Sequence, residues 1–388
     1  MAEASTIERV AALAREDGQL AIDTEFVGEG RYLTELCLVQ VAVRNPDGEE
    51  DIVELVDPIE GDGPVTPLAE VLADPGVEIV LHAGRQDVAL LKRCWDTRVT
   101  NIFDTQVAAA FAGMRAQVGY DAMLRKLLGV SLPKGAGFTH WDRRPLTAEQ
   151  LAYARGDVLH LLDAAAKLKE SLEASGRAEW VAEECAGLEE ASDLRDPRAA
   201  LEKLPKAGSL DPQQRAVALS LLEWRDRMAS RENRQPNKVL QDGAIVDIAK
   251  REPRDREELR QIRGLHEGIL RRRGRAIVEA VAAGLAAEPV PRGPRRAPST
   301  DGVDASLIVM CESLVRARAT EAGLAYEMLA SRADLQAVIN AYRDGDDYGD
   351  IRTLAGWRRE VVGDELIELL GGRRSLRIGE GLTVEIRE

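Results

Sequence analysis

Gln19-Leu20-Ala21-Ile22-Asp23-Thr24-Glu25-Phe26-Val27 is an apolar run of strand type that carries two carboxylates two residues apart. In a strand, alternate residues share a face, so Asp23 and Glu25 project to the same side. Two acids side by side on an otherwise hydrophobic strand repel each other and resist desolvation, and a divalent cation between them removes both problems. Taken alone, Asp-x-Glu is a weak signal, because an exposed strand end with two solvated acids fits the same letters.

Further apolar runs at 35–43 and 51–57 lie close to the first, separated by Gly, Asn, Pro and Asp turn residues. Together the three predict an antiparallel meander. A helix over 64–73, a strand over 77–82, a helix over 84–93 and a strand over 99–104 follow, with helices over 105–113, 119–128 and 147–172 completing the unit. Three strands followed by helix-strand alternation give a mixed sheet with helices on its faces, an α/β arrangement.

The chain has 388 residues, 45% hydrophobic and 31% charged, which suits two or three soluble domains, each with its own core. No apolar run approaches membrane-spanning length, and Met1 to Leu20 lacks the basic start and apolar middle of a leader, so a cytoplasmic protein is expected. Cys37, Cys94, Cys185 and Cys311 lie far apart with no Cys-x-x-Cys pair, which argues against zinc and disulfides and predicts four buried thiols. The net charge of −15 is unevenly spread: residues 1–200 carry −16, 201–300 carry +7 and 301–388 carry −6. A basic middle suits phosphates, and an acidic first segment suits cations.

Three more features lie in the first segment. Leu81-His82-Ala83-Gly84-Arg85-Gln86-Asp87 runs from a strand into a helix and puts Asp87 in the first turn, where an acid also complements the helix dipole. In Tyr153-Ala154-Arg155-Gly156-Asp157 the i, i+4 spacing puts phenol and carboxylate on one helix face. Gly156 is costly there by about 1 kcal/mol relative to Ala, and close approach of a backbone or ligand would explain it. The loop from Leu132 to Leu146 mixes Lys134, Arg143 and Arg144 with Phe138 and Trp141, a composition suited to phosphates and bases.

The ordered set Asp23-x-Glu25, His82-Ala83-Gly84-x-x-Asp87, Asp104-Thr105-Gln106, Trp141-x-x-Arg144-Pro145-Leu146 and Tyr153-x-x-x-Asp157 resembles ribonuclease D. That family belongs to the DEDD 3′-to-5′ exonucleases, in the subgroup whose last motif carries Tyr. Downstream, Leu221-Leu222-Glu223-Trp224-Arg225, Pro236-Asn237-Lys238-Val239-Leu240 and Ile262-Arg263-Gly264-Leu265 resemble the HRDC domain that the family shares with RecQ-type helicases. The resemblance implies a ribonuclease H-like exonuclease domain over 1–195, an HRDC domain over 208–287, a proline-rich linker over 288–303 and a second, diverged HRDC-like domain over 304–388. It spans nearly the whole chain and is thin after residue 303.

Phosphodiester hydrolysis needs a deprotonated nucleophile, charge neutralisation on the phosphate and a stabilised leaving 3′ oxygen, which two Mg²⁺ or Mn²⁺ ions about 4 Å apart provide. Hard cations take oxygen ligands, and four acids balance two divalent ions. The resemblance implies that Asp23 bridges both metals, Glu25 and Asp157 bind the one that activates water, and Asp87 holds the second through water. Tyr153 would orient the attacking water, since a phenol with a pKa near 10 is a poor base at neutral pH.

Candidate nucleic-acid contacts are Phe26, as a base-stacking or core aromatic, and Lys134 and Arg144, as phosphate or ordinary surface cations. Arg271, Arg272 and Arg273 stand in a run that reads as nucleic-acid contact or as a solvated helix end. The activity expected is metal-dependent 3′-5′ exoribonuclease action on structured RNA with single-stranded 3′ ends, tRNA precursors in particular, by a monomer. The alternatives are a DNA exonuclease and a non-catalytic nucleic-acid-binding adaptor.

Overall fold

In the computed structural model the meander read from the sequence forms one half of a five-stranded mixed sheet. The structure describes residues 2–48, 50–61, 65–133, 140–292, 302–345, 348–349 and 351–388. The first helix, α1 (Ala4–Asp17), was not anticipated. It buries Ile7, Val10, Ala11 and Ala14, spaced for one face, and stops at Gly18, whose φ of 75° is a left-handed cap that glycine adopts without cost. The chain then enters β1 (Gln19–Val27), β2 (Glu35–Val43) and β3 (Ile52–Val56). Next come α2 (Thr66–Leu72), β4 (Glu78–Leu81), α3 (Arg85–Trp95) and β5 (Ile102–Asp104). Strand order is β3-β2-β1-β4-β5. β2 and β3 pair antiparallel from Val39↔Val56 to Val43↔Ile52, whereas β1 and β4 start parallel at Gln19↔Glu78 and β4 and β5 at Ile79↔Ile102. Central strands buried on both faces are largely apolar, and β2 is buried from Leu36 to Val43 with Gln40 its one polar residue in that stretch.

Helices α4 (Thr105–Phe111), α5 (Tyr120–Leu128), α6 (Ala148–Leu159), α7 (Leu161–Ser175) and α8 (Ala178–Glu189) follow. The single helix predicted over 147–172 is therefore two: a capping box between Thr147 and Gln150 starts α6, and His160 breaks the run with φ −114° and ψ 11°. Three of the four cysteines are buried as expected, but Cys94, in the last turn of α3, is exposed.

The chain divides into two compact units, one of Met1–Glu25, Leu36–Ser192 and Ala297–Glu388, the other of Phe26–Glu35 and Asp193–Arg296. In the second unit run α9 (Pro197–Lys203), α10 (Pro212–Arg231), α11 (Pro236–Val239), α12 (Asp242–Arg251), α13 (Arg256–Arg260) and α14 (Glu267–Ala286). Trp224 is buried and Met228 packs on the same core, as their spacing of one helical turn predicts. α10 and α14 approach so closely that a Cβ on Gly284 would stand 2.5 Å from Val217 Cα, which only glycine avoids.

The last stretch holds α15 (Gly302–Ala322), α16 (Tyr326–Leu329), α17 (Arg332–Asp344), α18 (Gly356–Arg358) and α19 (Asp364–Leu370), then a hairpin of β6 (Ser375–Ile378) and β7 (Val384–Arg387) that was not predicted. Reading 304–388 as a separate domain does not anticipate its grouping with the sheet-bearing unit. The physical reason is aromatic: Trp357 stacks on Trp180 with centroids 5.2 Å apart and meets Phe111 edge-on at 4.9 Å. Beside it Arg358 Nη2 donates to Glu184 Oε2 at 2.7 Å, and the Trp357 indole N–H donates to Glu184 Oε1 at 3.0 Å.

Candidate active site

Strand alternation puts Asp23 and Glu25 on one face of β1, and α6 brings Asp157 to them. One carboxylate oxygen from each of the three lies within 4.8 Å of the other two. Arg155, two residues before Asp157, ties α6 to the sheet by donating from Nη1 to the carbonyl of Val53 at 2.8 Å. Asp87, the third residue of α3, is buried and accepts a hydrogen bond from the hydroxyl of Thr24, the residue between the two strand acids. The sequence reading passed over Thr24, whose only signal was its place between the acids.

The electrostatics follow from this crowding. Burial, then the charges of Asp87, Asp157 and Glu25, push the Asp23 carboxyl well above its ordinary range. Burial raises Glu25 to about 8, with Asp157 and Asp87 adding to it. Burial raises Asp157 to about 7 against the opposing hydrogen bond from Tyr153, and Asp87 to about 6 against that from Thr24. Among the described residues no Lys or Arg pairs with any of the four. Such a set of oxygen donors, strained by like charge and lacking a counter-ion, fits hard divalent cations.

Tyr153, one turn before Asp157, donates its hydroxyl to that carboxylate and remains 37% exposed, so its edge is open to a substrate. Its ring leans on buried Trp141 at 6.2 Å. Burial, then the charges of Asp157, Glu25 and Asp23, raise the phenol further above its ordinary value, which keeps it protonated. Gly156 needs no close backbone: a Cβ there would meet only Leu132 Cδ2 at 3.8 Å, an ordinary contact. His82 holds Thr105 Oγ1 at 3.0 Å and the carbonyl of Val118 at 3.2 Å, and Tyr120 packs on its ring at 5.3 Å.

Two expected nucleic-acid contacts are corrected. Arg144 is buried and forks onto Asp57, Nε to Oδ2 at 2.6 Å and Nη2 to Oδ1 at 2.7 Å, while also donating to the carbonyls of Cys37 and Trp141. All its donors face the protein, so no edge is left for a phosphate. Arg273 likewise forks onto Glu232 and donates to the carbonyl of Val239, a bond within its own helical unit. Arg271 and Arg272 are exposed, Arg272 reaching back to the carbonyl of Gly268 at 3.2 Å. Phe26 is partly buried, and Lys134 lies outside the described residues.

The profile of a 3′-5′ exonuclease family matches residues 2–173, and that of the HRDC domain matches residues 214–281. The fold and its acidic site thus define a 3′-5′ exonuclease, an enzyme that hydrolyses phosphodiester bonds of nucleic acid and uses divalent metal. Ribonuclease D of Gluconacetobacter diazotrophicus is 36% identical over 94% of this chain and 90% of that one, and ribonuclease D of Acidiphilium cryptum is 34% identical over 98% and 96%. The crystal structure of Escherichia coli RNase D superposes with a TM-score of 0.82 at 26% identity over 95% and 97% of the two chains. The chain belongs to the ribonuclease D family, whose members are 3′-5′ exoribonucleases. Among the described residues no helix is long and apolar enough to cross a membrane.

Proposed function

We propose that this exoribonuclease trims 3′ ends of structured RNA, tRNA precursors among them, with two divalent cations, Mg²⁺ or Mn²⁺, held by Asp23, Glu25, Asp87 and Asp157. The observation that carries the reading is the three-carboxylate cluster within 4.8 Å, partly buried and without a positive partner among the described residues. The similar Escherichia coli enzyme is described as an exoribonuclease involved in structured RNA processing, which supports the substrate class.

Asp23, Glu25 and Asp157 would hold one ion, and Asp23 with Asp87 would hold the other. Bound there, the ions would neutralise the phosphate and lower the pKa of a water. The Thr24 hydroxyl fixes one oxygen of Asp87. Tyr153, protonated at neutral pH and half-open to solvent, holds the attacking water at its Oη while its ring rests on Trp141. The protein acts as a monomer in the cytoplasm.

A 5′-labelled tRNA with a 3′ extension, incubated with Mg²⁺, Mn²⁺ or chelator, tests the proposal. The expected product is a ladder shortening from the 3′ end with metal only, and Tyr153→Phe should lose most turnover while still binding metal. Shortening in chelator would refute the metal site, and unchanged turnover of Tyr153→Phe would remove Tyr153 from the reaction.

A further inference from the structure

Asp104, the last residue of β5, is 2% exposed, and its carboxylate accepts four backbone N–H groups. Oδ1 takes those of Gln106 at 2.8 Å and Val107 at 3.3 Å, which caps α4. A cap requires nothing more. Yet the same carboxylate also takes the N–H of Ala83 on Oδ1 at 3.0 Å and that of Gly84 on Oδ2 at 2.8 Å. Ala83 and Gly84 form the turn from β4 into α3, and Asp87 stands in the first turn of that helix.

The turn has little freedom of its own to settle this geometry. Ala83 has φ 56°, a left-handed conformation costly for a residue with a side chain. At Gly84 a Cβ would come 2.6 Å from Leu81 Cβ, so a side chain is excluded. The neighbouring Thr105 adds a second tie, its Oγ1 donating to the carbonyl of Leu81 at 2.9 Å. The direction in which the chain leaves Gly84 sets the first turn of α3, and with it the carboxylate of Asp87. Asp104 repels an ionised Asp87 by charge, so any benefit to that residue passes through the backbone.

We infer that Asp104 is a positioning residue for the active site, holding the strained Ala83-Gly84 turn so that Asp87 meets the second ion position. The inference rests on the proposed reading of Asp87 as a ligand. The role explains why one buried acid serves two helices: the cap of α4 uses Oδ1 alone, and without the turn Oδ2 would lose the Gly84 N–H that satisfies it. Positioning partners behind a ligand typically matter about 10–100-fold in metal affinity.

The test is direct Mn²⁺ binding, by calorimetry or electron paramagnetic resonance, to the full chain and to Asp104→Asn, Asp87→Asn and the double variant. The amide of Asp104→Asn keeps one acceptor oxygen and turns an NH₂ group toward the backbone donors. Asp104→Asn should weaken Mn²⁺ binding about 10-fold in the natural background and less than about twofold on top of Asp87→Asn. Full additivity, or unchanged binding in Asp104→Asn, would overturn the inference. Natural binding in Asp87→Asn would instead overturn the ligand reading itself. Adding Ala83→Gly to Asp104→Asn relieves the left-handed strain and separates folding from placement. The thermal midpoint should recover and Mn²⁺ binding should not; recovery of binding would show that Asp104 only offsets strain.

Discussion

Arg144→Met separates a structural arginine from one that binds phosphate. In the natural protein the Arg144 and Asp57 side chains are 7% and 3% exposed and share two hydrogen bonds. Removing one partner of such a buried pair costs about 3–5 kcal/mol, because the remaining charge stays buried without its counter-ion. Asp57 keeps the N–H groups of Ile59 and Glu60, which places the loss near the lower end, about 3 kcal/mol. Burial pushes the Asp57 carboxyl up, but the hydrogen bonds from Arg144, Ile59 and Glu60 prevail and hold it below its ordinary value. A depressed carboxylate contributes stability above its unfolded pKa and loses it only as pH falls through the folded one, so the difference between the proteins should be constant from about pH 5 to 8. Urea unfolding followed by Trp fluorescence should show the loss, and Arg144→Met/Asp57→Asn should regain part of it. RNA binding in chelator should keep its affinity and salt dependence. Stability within about 1 kcal/mol of the natural protein, with a salt slope shallower by about 0.7, would mean that Arg144 contacts phosphate after all.

The acid cluster predicts a pH-dependent response to metal. Glu25 near 8, Asp157 near 7 and Asp87 near 6 make the metal-free folded state bind more protons than the unfolded chain. Their contribution is therefore present below about pH 4 and lost as pH rises through 6 to 8, at up to about 1.4 kcal/mol per pH unit for each proton difference. The gap in unfolding midpoint between Mg²⁺ and chelator should widen from pH 5.5 to 8; a constant gap would contradict the raised values. In the helical unit, Gly284→Ala forces α14 off Val217 and should cost about 1–3 kcal/mol by chemical unfolding. A neutral Gly284→Ala would show that the two helices are not locked at that crossing.

The strands and the pairing of Asp23 with Glu25 on one face could be read from the sequence because both depend on local pattern. β1 and β2 fall at 19–27 and 35–43 as read, and β3 is shorter than the run at 51–57 by one residue at each end. Asp23 and Glu25 share a face through the period-2 rule alone. What the sequence hid depends on partners far along the chain. The cation-rich stretch that ends at Arg144 reads the same whether its arginine meets RNA or Asp57, 87 residues earlier, and only the fold supplies Asp57. Arg273 and Glu232, 41 residues apart, repeat the case. The break at His160 eluded the reading because α6 and α7 are apolar enough on either side to resemble one helix, and Trp357 gives no hint in its own segment of Trp180.

The same distinction governs the acids. Sequence order names four carboxylates but not why Asp87 should stand apart from the other three. In the fold Asp23, Glu25 and Asp157 crowd together, while Asp87 is bound to Thr24 and carried on a turn that Asp104 grips from β5. Three of the acids are placed by a strand and a helix packed into the sheet, and the fourth by a strained turn. If that difference matters, perturbing the turn should weaken one ion position and leave the other, whereas perturbing β1 at Asp23 should weaken both. A Mn²⁺ titration of Asp104→Asn that loses two sites together would show that the four acids answer as one rigid cluster.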